Sequence, residues 1–166
     1  MKDNFFEKYL PKEQIYDDLT YENLDLAYQF ALSNTEEGKR TLFIFDDVQK
    51  ALKDECQNLF LSIVNNRRHA RLNLMLLCQN YFSIPLKVRS GLTDLFIFKS
   101  SKKELLKIFE EHFELHKDKF FDILKHCFKK EHEFLYINNE SQRVFSNWNE
   151  LLFSNDSIEE DDEKDH

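Results

Sequence analysis

Glycine and proline are nearly absent: the 166 residues contain two of each. Turns that need φ > 0, and backbone loops that grip a phosphate closely, are therefore scarce. Cysteine is also sparse. Cys56, Cys78 and Cys127 are odd in number and far apart in the chain, which points to reduced thiols in an intracellular setting rather than a disulfide framework. No apolar run approaches the length of a membrane span, and the opening MKDNFFEKYLPKEQ has no leader-like apolar core. An excess of positive charge is missing too. The net charge of −8 and pI near 5.3 argue against a generally basic coat for nucleic acid.

What is present suits a folded domain. Hydrophobic residues make up 42% and aromatics 14%, with 17 Phe, and a chain of this length can bury about two-thirds of its unfolded surface. Much of the negative charge lies in DSIEEDDEKDH, Asp156 to His166, which carries seven carboxylates and one lysine. The expected organisation is a single domain over residues 1–153, followed by a solvated acidic tail over 154–166.

The chain opens with a helical pattern. YENLDLAYQFAL sets Leu24, Tyr28 and Ala31 on one face. NTEEGKR reads as a turn, and TLFIF as a strand running into Asp46 and Asp47. ALKDECQNLFLSIVNNRR has helical spacing. RLNLMLLCQ is a second strand, IPLKVRSGL a loop or short helix, and DLFIFKS a third strand. KKELLKIFEEHFELH and KFFDILKHCFKK are amphipathic helices. EFLYINN, SQ and RVFSNW form a β-hairpin. The three strands are apolar runs without clean polar alternation, as a parallel sheet covered on both faces requires. The expected class is α/β, with a mostly parallel sheet, helices on both faces, and a C-terminal helical pair and hairpin.

Ligands of open parallel sheets collect beyond the carboxyl ends of the strands. Asp46 and Asp47 stand at one such end and Gln79 at the next. A carboxylate there can hold Mg²⁺. A second can orient or deprotonate water, and an amide that both donates and accepts can position that water or sense a phosphate. A plainer explanation stays open: Asp-Asp ends the strand because it caps the helix that follows.

TLFIFDDVQ and NNRRHARLNLMLLCQNYFSIPLKVRSGLTDLFIF, with their spacing, resemble the genome-packaging ATPases of poxviruses and other large DNA viruses, members of the FtsK/HerA superfamily. The resemblance covers roughly Leu42 to Phe109. It implies a P-loop NTPase fold, ATP and Mg²⁺ as cofactors, Asp46 as the Walker B metal ligand, Asp47 as the water-activating acid and Gln79 as the sensor. Arg89 and Arg68, with Arg67, become candidates for the arginine that reaches a neighbouring subunit's nucleotide. RRHAR also reads simply as a basic helix end meeting the helix dipole. The implied partners are double-stranded DNA, a homo-oligomeric ring and capsid proteins, with no membrane. The implied place is the host-cell cytoplasm at the viral assembly site, or the virion.

One departure is large. The family's G-x-x-x-x-G-K-[ST] loop does not occur. Gly38-Lys39 is followed by Arg40 and a strand, and Gly91 does not fit either. In the family's usual sheet the P-loop strand lies between the second and third strands above, so its loss would leave edges open to another chain. Three explanations follow: a truncated or split enzyme, a separate P-loop-bearing chain, or a non-hydrolysing relative acting in protein assembly. An unrelated α/β domain is a further alternative.

Other features read blandly. His112 and His116 share a helix face but have the wrong Glu placement for a zinc protease. The Phe set Phe109, Phe113, Phe120, Phe121 and Phe128 reads as core. Tyr136 and Trp148 of the hairpin have few interleaved lysines, whereas a single-stranded nucleic-acid groove uses both.

Overall fold

The computed structural model describes residues 5–48, 50–53, 56–112 and 117–152. The expected acidic tail over 154–166, Phe113 and His116 lie outside them. The chain divides into two compact units, Met1–Gly91 and Leu92–His166. Among the described residues no helix is long and apolar enough to cross a membrane.

In the first unit, α1 (Tyr21–Glu36) starts at Thr20, whose hydroxyl accepts the Asn23 N–H at 3.2 Å. That bond satisfies one of the orphan donors of the first turn. Leu24 and Ala31 are buried, and Tyr28 packs partly buried against the same core. The helix stops by a two-bond motif: Lys39 N–H donates to the Asn34 carbonyl at 2.8 Å, and Gly38 N–H to that of Thr35 at 3.0 Å. Such a stop needs a left-handed residue after the cap, and Gly38 supplies it at φ 77°. Gly38-Lys39 therefore ends a helix.

β1 (Thr41–Asp46), α2 (Gln57–Asn66) and β2 (Leu72–Leu77) follow, then the short α3 (Leu86–Arg89) entered from Pro85. β1 and β2 pair in parallel, from Thr41↔Leu72 to Asp46↔Leu77. Parallel partners point to the same face, so Phe43, Phe45, Leu72, Leu74 and Leu76 form one side. These join Phe60, Ile63 and Val64 of α2 in a common core. Phe45 meets Phe60 edge-on with ring centroids 5.2 Å apart. The Thr35 hydroxyl donates to the Ala70 carbonyl at 2.6 Å, tying α1 to the turn before β2. The single helix expected over residues 51–68 is instead a 3-10 turn, Ala51–Lys53, and then α2.

The second unit contains β3 (Asp94–Phe98), α4 (Lys102–His112), α5 (Lys117–His126), β4 (Phe134–Asn138), β5 (Arg143–Ser146) and β6 (Asn149–Glu150). Its sheet runs β3-β4-β5-β6 and is antiparallel throughout. Leu95, Leu135, Ile137 and Val144 on the inner face are at most 5% exposed. The other buried apolar residues of this unit lie on α4 and α5 and just beyond, including Phe109, Phe120 and Cys127.

The α/β class, the parallel strands, the helical pair and the C-terminal hairpin are as expected from the sequence. The partner of the third strand differs. β3 pairs antiparallel with β4, not parallel with β2. Its run DLFIF looks continuous because both faces are apolar: Leu95 faces inward at 5% exposure, while Phe96 and Phe98 face outward at 48% and 60%. An apolar run does not encode strand direction. The hairpin turn is also longer than two residues, spanning 139–142, with Gln142 in the left-handed region at φ 54°.

Phe60 is 1% exposed and central to the first core. Phe60→Ala should destabilise the chain by about 3–5 kcal/mol; urea denaturation followed by far-UV circular dichroism measures this. A loss below about 1 kcal/mol would contradict the packing described.

Candidate functional site

The carboxyl ends of β1 and β2 place three polar side chains at one rim. Asp46 is the last residue of β1, paired with Leu77, and lies on the face away from α1 and α2. Strict alternation would send Asp47 to the opposite face, beneath the helices with Phe45. It does not go there. Its backbone turns left-handed at φ 55°, and its N–H donates to the Leu77 carbonyl at 3.0 Å. Asp tolerates this conformation better than most residues. The result is an exposed carboxylate directed along the rim. Gln79, just past β2, points its amide at that carboxylate, with Nε2 3.5 Å from Asp47 Oδ2. That distance is the outer limit of a hydrogen bond, so the two are neighbours with a loose contact.

The two aspartates do not cap α2. α2 does not begin until Gln57, and the residue at its N-cap position is Cys56. Neither aspartate sits there. Two adjacent carboxylates at a solvent edge repel one another, and a divalent cation bridging oxygen ligands relieves that repulsion. Among the described residues no three or more His, Cys, Asp or Glu side chains form a metal cage. Two acids alone suit a cation that keeps several waters and takes further ligands from a bound phosphate, the usual arrangement for Mg²⁺.

The arginines are distributed differently. Arg89 belongs to α3, downstream of the β2 carboxyl end. Its guanidinium donates to the Ile84 carbonyl at 3.0 Å and lies over the rings of Tyr81 and Phe82, 5.2 and 5.0 Å from their centroids. It is held by its own chain. Arg67 follows α2 and donates to the Val64 carbonyl at 2.8 Å, which is the helix-end role open to a cation there. Arg68 precedes β2. A strand of six residues is about 20 Å long, so Arg68 lies at the opposite end of the ladder from Asp46, Asp47 and Gln79.

Residues flanking Gln79 carry no role in the motif but shape the rim. Asn80 accepts the Phe82 N–H at 2.9 Å and starts the 3-10 turn Tyr81–Ser83. Cys78 is exposed. His112, considered as half of a metal pair, lies 3.0 Å through Nδ1 from the Asn139 amide of the β4–β5 turn, and that amide also donates to the Leu92 carbonyl at 2.7 Å. Its contact is structural.

The chain matches the model of the poxvirus A32 protein family over residues 10–165. Among solved structures it is similar to the genome packaging NTPase B204 from Sulfolobus turreted icosahedral virus 2. In complex with AMP, that protein shares 18% identity over 82% of this chain and 66% of its own, with a TM-score of 0.62. The complex with ATP-gammaS gives 15% identity over 89% and 77%, TM-score 0.61. The complex with sulfate gives 17% over 89% and 78%, TM-score 0.67. This chain thus spans about two-thirds to three-quarters of that relative's length. At such identities the likeness establishes the fold. No curated protein matches the chain.

Cys56 and Cys127 are 0% and 3% exposed, and burial raises the Cys127 thiol above its ordinary pKa. A thiol reagent should therefore modify one cysteine quickly in the native chain, Cys78 beside Gln79, and the other two only after unfolding. Peptide mapping after brief labelling checks this; rapid modification of Cys56 or Cys127 would contradict it.

Proposed function

The chain belongs to the poxvirus A32 protein family, and from that membership we propose that it forms part of an ATP-driven motor moving viral double-stranded DNA into capsids. The observation that carries this reading is the convergence of Asp47 and Gln79, 3.5 Å apart, at the carboxyl ends of two adjacent parallel strands.

In this reading Asp46 holds Mg²⁺, a role its exposed oxygen donors fit. Asp47 is the proton acceptor and orients water, and Gln79 fixes the carboxylate of Asp47 and senses a terminal phosphate. Bound Mg·ATP supplies the reactive phosphoanhydride. The triphosphate itself finds no cradle in these residues, because Gly38 is committed to ending α1 and Gly91 lies beyond α3. A P-loop from a segment outside these residues, or from a partner chain, would complete the site.

The first unit offers a place for it. Among the described residues β2 pairs with β1 alone, which leaves its other edge available to a further parallel strand. The face of the ladder away from α1 and α2 exposes Leu42 at 52%, Ile44 at 37%, Met75 at 46% and Leu77 at 41%. Parallel sheets are ordinarily covered on both faces. A strand followed by a helix, the unit that carries a P-loop, would pair the edge and cover the face.

Arg68 stands too far along the ladder to serve its own chain's acids, so in a ring it would act on a neighbour. Arg89 would first have to leave Tyr81 and Phe82. DNA contacts in such a motor would be directed to phosphates and weaken with salt. The missing glycine-rich loop favours a second reading, a non-hydrolysing NTPase-fold module acting in protein assembly.

Phosphate release separates the two. The chain alone should show negligible Mg²⁺-dependent turnover. Adding a P-loop-bearing fragment or partner should restore it, and Asp47→Asn should then reduce the rate by about 100-fold or more. Gln79→Ala should cost about tenfold or more, since it removes one oriented polar group. Restored turnover indifferent to Asp47→Asn would refute the assignment of the acids. Absence of ATP binding in every combination would favour the assembly module.

A further inference from the structure

The second unit has an outer face that the packaging reading does not use. Phe96, Phe98, Phe134, Tyr136, Phe145 and Trp148 gather on the side of the sheet opposite its core. Phe96 and Tyr136 are direct cross-strand partners, with rings stacked at 4.7 Å and 9°. Tyr136 and Phe145 are the next pair, stacked at 5.1 Å and 24°. Trp148, in the turn between β5 and β6, meets Phe134 edge-on at 5.2 Å and Phe96 at 5.8 Å. Despite these contacts the cluster stays wet. Trp148 is 70% exposed and Phe98 60%.

One end of this face opens into a hollow of about 530 Å³ that shares Phe98. Lys99, Lys129, Lys130 and His132 line it, together with Glu131 and Glu133. Glu133 is partly engaged, accepting the Lys130 backbone N–H at 2.9 Å. The lysines are distant in sequence. Pairing of Phe98 with Phe134 brings the residues after β3 next to those before β4. The other end of the face is polar, with Asp94 accepting from the Tyr136 hydroxyl at 2.7 Å and from Asn138 at 3.0 Å.

We propose that this aromatic face and its lysine-lined hollow bind single-stranded DNA, the exposed rings stacking unpaired bases and the lysines meeting the phosphates. Flat π surfaces with adjoining cations are the pair of features by which sheets hold unpaired nucleic acid. A second copy of the chain on the same face would bring its own Lys99, Lys129 and Lys130 along with its acids Asp94, Glu131 and Glu133, whereas a phosphodiester strand brings a negative charge at every nucleotide and no cation. The choice of DNA over RNA rests on the packaging reading; the stacking chemistry does not.

The test uses the full chain without nucleotide and a fluorescein-labelled oligodeoxythymidylate. Anisotropy should show saturable binding, with quenching of Trp148, the only tryptophan. Phe96→Ala and Trp148→Ala should each weaken binding by about tenfold or more. Lys129→Ala and Lys130→Ala should each flatten the log–log salt dependence by about 0.7. A duplex should bind at least about tenfold more weakly, because its bases are already stacked. Should Phe96→Ala fail to fold, Trp148→Ala in an exposed turn still decides the matter. No binding, equal affinity for duplex, tighter binding of oligouridylate, or native-folded variants with unchanged affinity would each overturn the proposal. So would sedimentation showing a dimer abolished by Trp148→Ala in a chain that binds no oligonucleotide. Binding of single strands by a chain that hydrolyses no ATP with any P-loop partner would refute the packaging reading alone. The converse result would refute only this one.

Discussion

The parallel ladder between β1 and β2 is the contact on which the rest of the first unit depends. Its register runs six residues and ends at Asp46↔Leu77. A slip of one residue would move every side chain of one strand to the other face. In β1 that slip would carry Asp46 beneath the helices and push Phe45 into water. Burying an unpaired carboxylate costs far more than burying a phenyl ring returns. The core therefore fixes the register: Phe45 against Phe60, Leu76 beside it, and Leu72 under the turn that Thr35 holds through Ala70. Packing on one side of the sheet thus decides which polar atoms meet at its rim.

Asp47 is the exception that the ladder makes possible. Its left-handed backbone breaks the two-residue alternation just where the strand ends, while its N–H still bonds to Leu77. Without that turn, two consecutive aspartates would lie on opposite faces and only one could reach Gln79. With it, both carboxylates stay exposed and one lies against the amide.

Much of this was legible in the sequence, for identifiable reasons. The Leu24, Tyr28 and Ala31 spacing marked the buried face of α1 because helix period and burial coincide there. The rim of Asp46, Asp47 and Gln79 was legible because strand ends in parallel sheets point one way. The direction of β3 was hidden, since Phe96 and Phe98 made an outward face look like an inward one. The lysine-lined hollow was hidden for a different reason. Lys99 and Lys129 are separated by two helices, and only the antiparallel pairing of Phe98 with Phe134 makes them neighbours. The sparse lysines of the hairpin gave no hint of cations supplied from outside it.

The two sheets leave different kinds of surface uncovered, and the chemistry of each selects its partner. Leu42, Ile44, Met75 and Leu77 are aliphatic and shaped by branching and length. Such side chains gain mainly by leaving water, and they do so best against another close-packed surface such as a helix. The rings of Phe96, Tyr136 and Phe145 already contact one another, so part of their apolar surface is satisfied within the sheet. What remains is polarisable and flat, with a preference for offset or edge contacts with other π systems. An aliphatic patch beside a strand edge that has no partner among the described residues is therefore suited to close packing against another element. An aromatic patch beside lysines, on a unit whose inner face is already buried, is suited to holding something that comes and goes. The same protein thus carries one surface fitted to permanent assembly and another fitted to transient binding, and the side-chain chemistry of each sheet, rather than its exposed area, distinguishes them.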